Sequence, residues 1–285
     1  MNRPRRVALL THTETRDTAA AMRRVIGVLA DAGVEVAVST EEADKHRLGG
    51  ADGVRVEEAI PTDVDLALVL GGDGTILKAL RAYVGTEVSV FAFNFGAIGF
   101  LATVDRDALD DGLRRVLEGD FTTISMPALA IEVPGGTRCA AADVSFHRRP
   151  NARVAELAYS VEGEQLGKVR CDGLVAATPV GSTGYNLANG GPLLAWGVEG
   201  FVVSFIAPHS LTARAVVVAP DTPLSVFNCS DREGVDVTTD GRSVHELGPE
   251  AELHVRFEHD RVRLAHVPST GFYGRLREKF GHIAY

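Results

Sequence analysis

Hydrophobic and polar positions change their period along the first third of the chain. Val7 to Leu10 form a short apolar run, Met22, Val25, Ile26 and Leu29 recur at helical spacing, and Gly33 follows as a stop. Val34, Val36 and Val38 alternate as a strand. Leu66 to Leu70 reads as a buried strand, Thr75 to Tyr83 as a helix and Val88 to Phe93 as another strand. Asp107 is placed to cap a helix in which Leu109, Leu113, Val116 and Leu117 share a face and Gly119 is the stop. Strand and helix alternate up to about this point, so the pattern predicts an α/β domain over residues 1–120.

From Ala128 the texture becomes short runs divided by turn residues. Ala128 to Val133 leads to Pro134-Gly135-Gly136, then Cys139 to Phe146, then Ala155 to Val161 before Glu162-Gly163. Phe201 to Ile206, Ala215 to Val218 and Val235 to Thr239 continue this habit. Leu253, Val255 and Phe257 precede an expected turn into Val262 and Leu264. Residues 121–269 are therefore expected to form a β-rich domain. Residues 270–285, with a charged helix over Gly274 to Phe280, are expected to pack back on the first.

Length and composition agree with this division. The chain has 285 residues, 45% hydrophobic and 24% charged, enough for two ordinary globular domains. Acidic residues exceed basic ones by 38 to 29, for a net charge of −9, so bulk charge does not attract nucleic acid. No stretch reaches the ~18 apolar residues of a membrane helix, and three cysteines without a short-spaced pair fit a reducing compartment. The expectation is a cytoplasmic protein with no membrane segment and no cysteine metal site.

The candidate chemistry lies where strands end. Leu66 to Leu70 runs straight into Gly71-Gly72-Asp73-Gly74-Thr75 and then a helix, which gathers free amides and a positive dipole end suited to phosphate. A plain strand-to-helix turn capped by Asp73 is the alternative for this segment alone, and it is not a P-loop. Asn94-Phe95-Gly96-Ala97-Ile98-Gly99-Phe100-Leu101 repeats the arrangement one unit later, so two glycine-rich ends should face one crevice. Arg170-Cys171-Asp172-Gly173 opens a third block. It continues through Thr178-Pro179-Val180-Gly181-Ser182-Thr183-Gly184-Tyr185-Asn186 to Gly190-Gly191-Pro192, whose hydroxyls, amides and aromatic face can bracket a sugar and phosphates.

These motifs, with Pro208-His209-Ser210-Leu211-Thr212 and Asp240-Gly241-Arg242, resemble in order and spacing the NAD kinase family, and the resemblance spans nearly the whole chain. It implies a Rossmann-like nucleotide domain followed by a β-sandwich NAD domain, with substrates bound in a cleft. The implied reaction moves a phosphoryl group from ATP, or from polyphosphate in some members, to the 2′-hydroxyl of the adenosine ribose of NAD, giving NADP. Mg²⁺ or another divalent ion is expected to offset donor charge without a dedicated protein cage. Asp73 is the carboxylate expected to accept the hydroxyl proton.

The resemblance also assigns Gly71, Gly72, Gly74, Thr75, Lys78, Asn94, Gly96 and Phe100 to substrate binding. Asp143, Arg170, Asp172, Thr183, Gly184 and Tyr185 join them, and Asp240 is expected to reach in from a neighbouring subunit of a homodimer or homotetramer. Two positions depart from the family pattern. Ala141-Ala142-Asp143 stands where relatives place Asn before Glu or Asp, and Met126 or its neighbours replace an arginine. Two rival readings remain at this point: a lipid kinase sharing the Gly-Gly-Asp-Gly-Thr turn, and a weakened paralogue that senses dinucleotide.

Overall fold

A computed structural model describes residues 3–267 and 271–281; residues 270 and 282–285 of the expected terminal piece lie outside the described residues. The chain divides into two compact units, one ending at Ser125 and resuming at Val262, the other running from Met126 to Arg261.

The first unit begins β1 (Arg6–Thr11), α1 (Ala19–Asp31), β2 (Glu35–Ser39), α2 (Thr40–His46) and β3 (Val54–Glu57). It continues β4 (Leu66–Gly71), α3 (Asp73–Ala82), β5 (Ser89–Asn94), β6 (Val104–Asp105) and α4 (Leu109–Glu118). Gly33 takes φ +70° just after α1 and Gly119 takes φ +69° after α4, which is why glycine ends both helices. Asp107 does not cap α4: it lies inside a 3-10 turn over Arg106–Ala108 that leads into the helix. α2 and β3 were not legible in the apolar pattern.

The second unit takes in β7 (Thr122–Val133) from Met126 onward, then β8 (Gly136–Ala140), β9 (Asp143–Arg148), β10 (Ala155–Val161), β11 (Glu164–Cys171) and β12 (Gly173–Ala177). A short α5 (Tyr185–Ala188) precedes β13 (Phe201–Ile206), β14 (Val216–Val218), β15 (Leu224–Asn228), β16 (Val235–Thr239), β17 (Arg242–Leu247) and β18 (Glu252–His266), the last of which belongs to this unit up to Arg261. One antiparallel sheet runs β14-β13-β12-β9-β16-β17. The other ladder pairs β11 with β10, β10 with β15, and β15 with the first part of β18. Leu157, Val226 and Val255 of this ladder share one core with Phe146, Leu174, Phe201 and Val237 of the sheet, so the unit is a sandwich.

Two sequence expectations need correction here. The run Cys139 to Phe146 is not one strand: β8 pairs with β7 and β9 joins the other sheet. The turn expected after Phe257 is absent, because β18 continues as one strand with a local kink at Asp260, where φ is +51°.

The end of β18 pairs in parallel with β5, Leu264 against Val90, and α6 (Phe272–Phe280) follows. The sheet of the first unit is then β18-β5-β4-β1-β2-β3, parallel throughout. The chain winds outward in opposite directions from β1 and β4, so their carboxyl ends mark the switch point at which such sheets hold ligands. No helix among the described residues is long and apolar enough to cross a membrane.

Candidate active site

β4 ends at that switch point. Gly72 is the N-cap of α3 with extended backbone (φ −93°, ψ −175°), and Asp73 is the first helical residue. The Gly72 carbonyl accepts from the amides of Thr75 (2.9 Å) and Ile76 (3.1 Å), while the first amides of the helix have no intrahelical acceptor. A side chain on Gly71 would meet Thr75 Cβ at 2.6 Å, so glycine is required for the turn to close on its own helix.

β5 sets Asn94 opposite Gly71. Asn94 Oδ1 accepts from the Gly96 amide at 3.0 Å, and its Nδ2 donates to Asp105 at 3.0 Å, which pins the second glycine-rich loop. That loop turns back to Asp73: the amides of Phe100 and Leu101 donate to its two carboxylate oxygens at 3.1 and 2.8 Å. The expected meeting of two glycine-rich ends is therefore a direct contact, with the amides of one holding the carboxylate of the other. Lys78, assigned to substrate binding, reaches across to α2. Its ammonium donates to both oxygens of Glu41 on α2, at 3.1 and 3.0 Å.

A polar group at the end of β1 escaped the sequence reading. Buried Glu42 accepts from the amide and hydroxyl of Thr11 (3.1 and 2.8 Å) and from Lys45 (2.8 Å). His46 lies 2.7 Å from the same hydroxyl. Burial pushes the His46 imidazole down, with Glu42 opposing that effect. Only tertiary structure brings these residues beside β4, through the register Thr11 to Leu70.

In the second unit Asp240 acts within its own chain. Its carboxylate accepts from the amides of Ala141 (3.0 Å), Ala142 (2.7 Å) and Asp143 (3.2 Å). Those amides would otherwise continue a ladder, which is why the strand breaks between β8 and β9.

Asp143, Ser145 and His147 occupy alternate positions of β9 and share a face. His147 stacks on Tyr185 with ring centroids 5.7 Å apart and an 11° interplanar angle. Burial, then the charges of Asp143 and Asp172, push the Tyr185 phenol up. Asp172 itself accepts from Arg148 Nε at 2.5 Å. His147 and Arg148 were missed in the sequence, although the period-two spacing from Asp143 points to the histidine.

The glycine- and hydroxyl-rich block is partly scaffold. Thr178 donates to the Ala141 carbonyl at 2.7 Å, Ser182 to Pro179 at 2.8 Å, and Asn186 to Ser182 and Pro192 at 3.0 and 2.9 Å, all buried. Thr183 is half-buried, and Gly184 and Tyr185 are exposed. Arg170 lines a cavity of about 460 Å³ with Arg153, Glu156, Arg232 and Glu233.

The family model described as the ATP-NAD kinase N-terminal domain matches residues 7–121, and that described as the ATP-NAD kinase C-terminal domain matches residues 141–267. The chain belongs to the NAD kinase family. It is 32% identical to the NAD kinase of Thermobifida fusca over 97% of this chain and 89% of that one. The NAD kinase of Syntrophotalea carbinolica is 31% identical, over 97% and 98%. In fold, the chain is similar to yeast NADH kinase complexed with NADH (TM-score 0.86, 22% identity, covering 100% of this chain and 90% of that one). It is also similar to an NAD kinase from Archaeoglobus fulgidus in complex with ATP (TM-score 0.75, 22% identity, covering 95% and 98%).

Where the NAD kinase pattern has an amide, Ala142 is 3% exposed, and Gly181 packs so closely on its carbonyl that a methyl group there would overlap it. Met126 is 1% exposed and serves the interior.

Asp143 carries a testable electrostatic feature. Burial, and then the Asp240 carboxylate, push its carboxyl up to about 7. A folded value raised above the unfolded one means that the unfolded chain loses the proton first. Stability is therefore eroded as pH climbs from about 4 to about 7, by on the order of 1–4 kcal/mol, and is unaffected below that window. Asp143→Asn, neutral at every pH, is expected to melt above wild type at pH 8 and level with it near pH 4. Calorimetry across that range checks this, and parallel melting curves at all pH values would sink it.

Proposed function

We propose that this chain is a working NAD kinase that transfers the terminal phosphoryl group of ATP to the 2′-hydroxyl of the adenosine ribose of NAD, with Asp73 as proton acceptor. The observation that carries this reading is the Asp73 carboxylate, held by two amides beside a helix N-terminus. An aliphatic hydroxyl is a weak nucleophile, and a fixed carboxylate that takes its proton addresses that weakness. Each carboxylate oxygen accepts one amide and retains a second lone pair for the hydroxyl.

In the step itself, the 2′-oxygen forms a bond to the γ-phosphorus and its proton passes to Asp73. The bond from that phosphorus to the β–γ bridging oxygen breaks, and ADP leaves. The first amides of α3, with Gly72 and Gly74, are assigned to the donor phosphates. Asp143, Asp172, Thr183, Gly184 and Tyr185 are assigned to the dinucleotide, with Tyr185 offering a flat face backed by His147.

No group of three Asp, Glu, His or Cys side chains fit to hold a metal occurs among the described residues, and the Asp73 oxygens are engaged by amides. This donor set suits Mg²⁺ carried chiefly by the donor phosphates, where it offsets their charge. The resemblance supports assembly as a homodimer or homotetramer in the cytoplasm, and polyphosphate as an alternative donor.

The test is a mass-spectrometric assay of the purified chain with NAD, Mg²⁺ and either ATP or polyphosphate, and diacylglycerol in parallel. NADP formation with ATP is the expected result. Phosphorylation of the lipid, or NAD binding without turnover, would overturn the proposal in favour of one of the two rival readings.

A further inference from the structure

α6 carries a charge that its packing does not call for. Phe272 and Leu276 are buried at 8% and 7% exposure and suffice as an apolar stripe, yet Arg275 between them is 4% exposed. No carboxylate of the described residues makes an ion pair with it. Its Nη1 donates to the Gly99 carbonyl at 3.1 Å and its Nη2 to the Thr103 carbonyl at 2.9 Å. A desolvated guanidinium is costly, and an apolar residue of similar volume in its place is often neutral or stabilising. The planar fork is suited to fixing two acceptors at once.

The two carbonyls flank Phe100 and Leu101, whose amides hold the two oxygens of Asp73. The Phe100 ring is also packed by α6, edge-on to Phe272 at 5.6 Å and tilted to Phe280 at 6.0 Å. The far side of the loop is tied by Asn94, which leaves so little room beside Gly99 that a methyl group there would overlap it. Burial draws the Arg275 guanidinium down from its ordinary value, opposed by Asp105, Glu278 and Asp73, so the charge lies within electrostatic reach of the reacting carboxylate.

We propose that Arg275 is a positioning residue for phosphoryl transfer: it holds the Gly99 and Thr103 carbonyls so that the intervening amides keep the Asp73 carboxylate aimed at the acceptor hydroxyl. This rests on the reading of Asp73 as proton acceptor. The guanidinium touches neither substrate nor Asp73, and its effect passes through the loop.

The experiment is a double-mutant cycle on the full chain, with Arg275→Met, Arg275→Lys, Asp73→Asn, the combined variants, and Leu276→Ala as a packing control on the same helix. Loop displacement on the order of 1 Å is expected to lower kcat of Arg275→Met about 10²-fold. KM for NAD and ATP should stay within about twofold, since substrate groups are not removed. Arg275→Lys, which keeps charge and donors, should recover at least about tenfold of that loss, whereas Leu276→Ala should lower Tm while keeping kcat within about threefold.

On the Asp73→Asn background, Arg275→Met should cost less than about twofold, because its effect is already spent. An undiminished cost there, or unchanged kcat in Arg275→Met, overturns the proposal. If Asp73→Asn itself keeps its turnover, the reading of Asp73 fails instead. Should Arg275→Met not fold, the same cycle run with Arg275→Lys decides: full additivity with Asp73→Asn counts against the proposal, and a loss absorbed by it counts in favour.

Discussion

Asp73→Asn should bind NAD almost as wild type does and lose between about 10² and 10⁴ of its turnover, the range for removal of a general base. The substitution preserves shape but not acceptor count. Phe100 N–H and Leu101 N–H point at the two oxygens from 3.1 and 2.8 Å. An amide offers oxygen to one of them and NH₂ to the other, so one loop N–H loses its acceptor at a cost of about 1–3 kcal/mol. Two effects then reinforce each other: the hydroxyl loses its proton acceptor and the loop loosens. Steady-state kinetics should place the loss in kcat, with KM for NAD changed less than about threefold. A variant keeping more than about a third of wild-type kcat would show that proton transfer runs elsewhere.

How far that site could be read from the sequence depended on how local its causes were. Leu66 to Leu70 and the following glycines were legible because a buried parallel strand is continuously apolar and its exit turn needs residues without side chains. The same held for Asn94 and its loop. α2 was not legible, because a seven-residue helix starting Thr-Glu-Glu shows no apolar stripe. Its buried Glu42 makes sense only once Thr11 is beside it. The unity of β18 is hidden in the sequence because Glu258, His259 and Asp260 look like a turn, whereas the strand continues through them with one residue in the left-handed region.

Asp240 shows the limit most clearly. Its motif was recognised, but a carboxylate that finds the amides of residues about a hundred positions earlier is written in topology, through the pairing of β16 with β9. The hydroxyls of Thr178 and Ser182 teach a related lesson. A polar residue in a glycine-rich block can be there to satisfy buried backbone, and composition does not separate that use from ligand binding. Arg275 gave no signal, since a charged helix near a chain end reads as a solvated surface.

A steric effect on the reacting turn itself is expected at Gly96. A Cβ there would lie 2.7 Å from Gly72 Cα and 3.4 Å from Gly72 N, and the reciprocal Cβ on Gly72 would lie 3.1 Å from Gly96 Cα. Neither neighbour is the tip of a flexible side chain, so relief requires the two backbones to part. Both are anchored, Gly72 as the N-cap of α3 and Gly96 by its hydrogen bond to Asn94, while Phe95 N–H donates to the Gly71 carbonyl at 3.0 Å. Restoring ordinary contact moves the Asp73 turn by roughly 1 Å, a displacement that costs about 10²-fold in kcat. The overpacking itself should remove about 1–3 kcal/mol, a fall of about 2–10 °C in Tm. Gly74→Ala supplies the contrast, because nothing lies within 4 Å of its Cβ position. Alanine suits a helix better than glycine by about 0.5–1 kcal/mol, so that variant should melt slightly higher. Its penalty should instead appear in KM for ATP, since an added methyl crowds the approach of phosphate to the first amides of α3. Kinetics and melting of the two variants together decide: Gly96→Ala with wild-type kcat and Tm would mean that the two turns do not press on each other when the enzyme works.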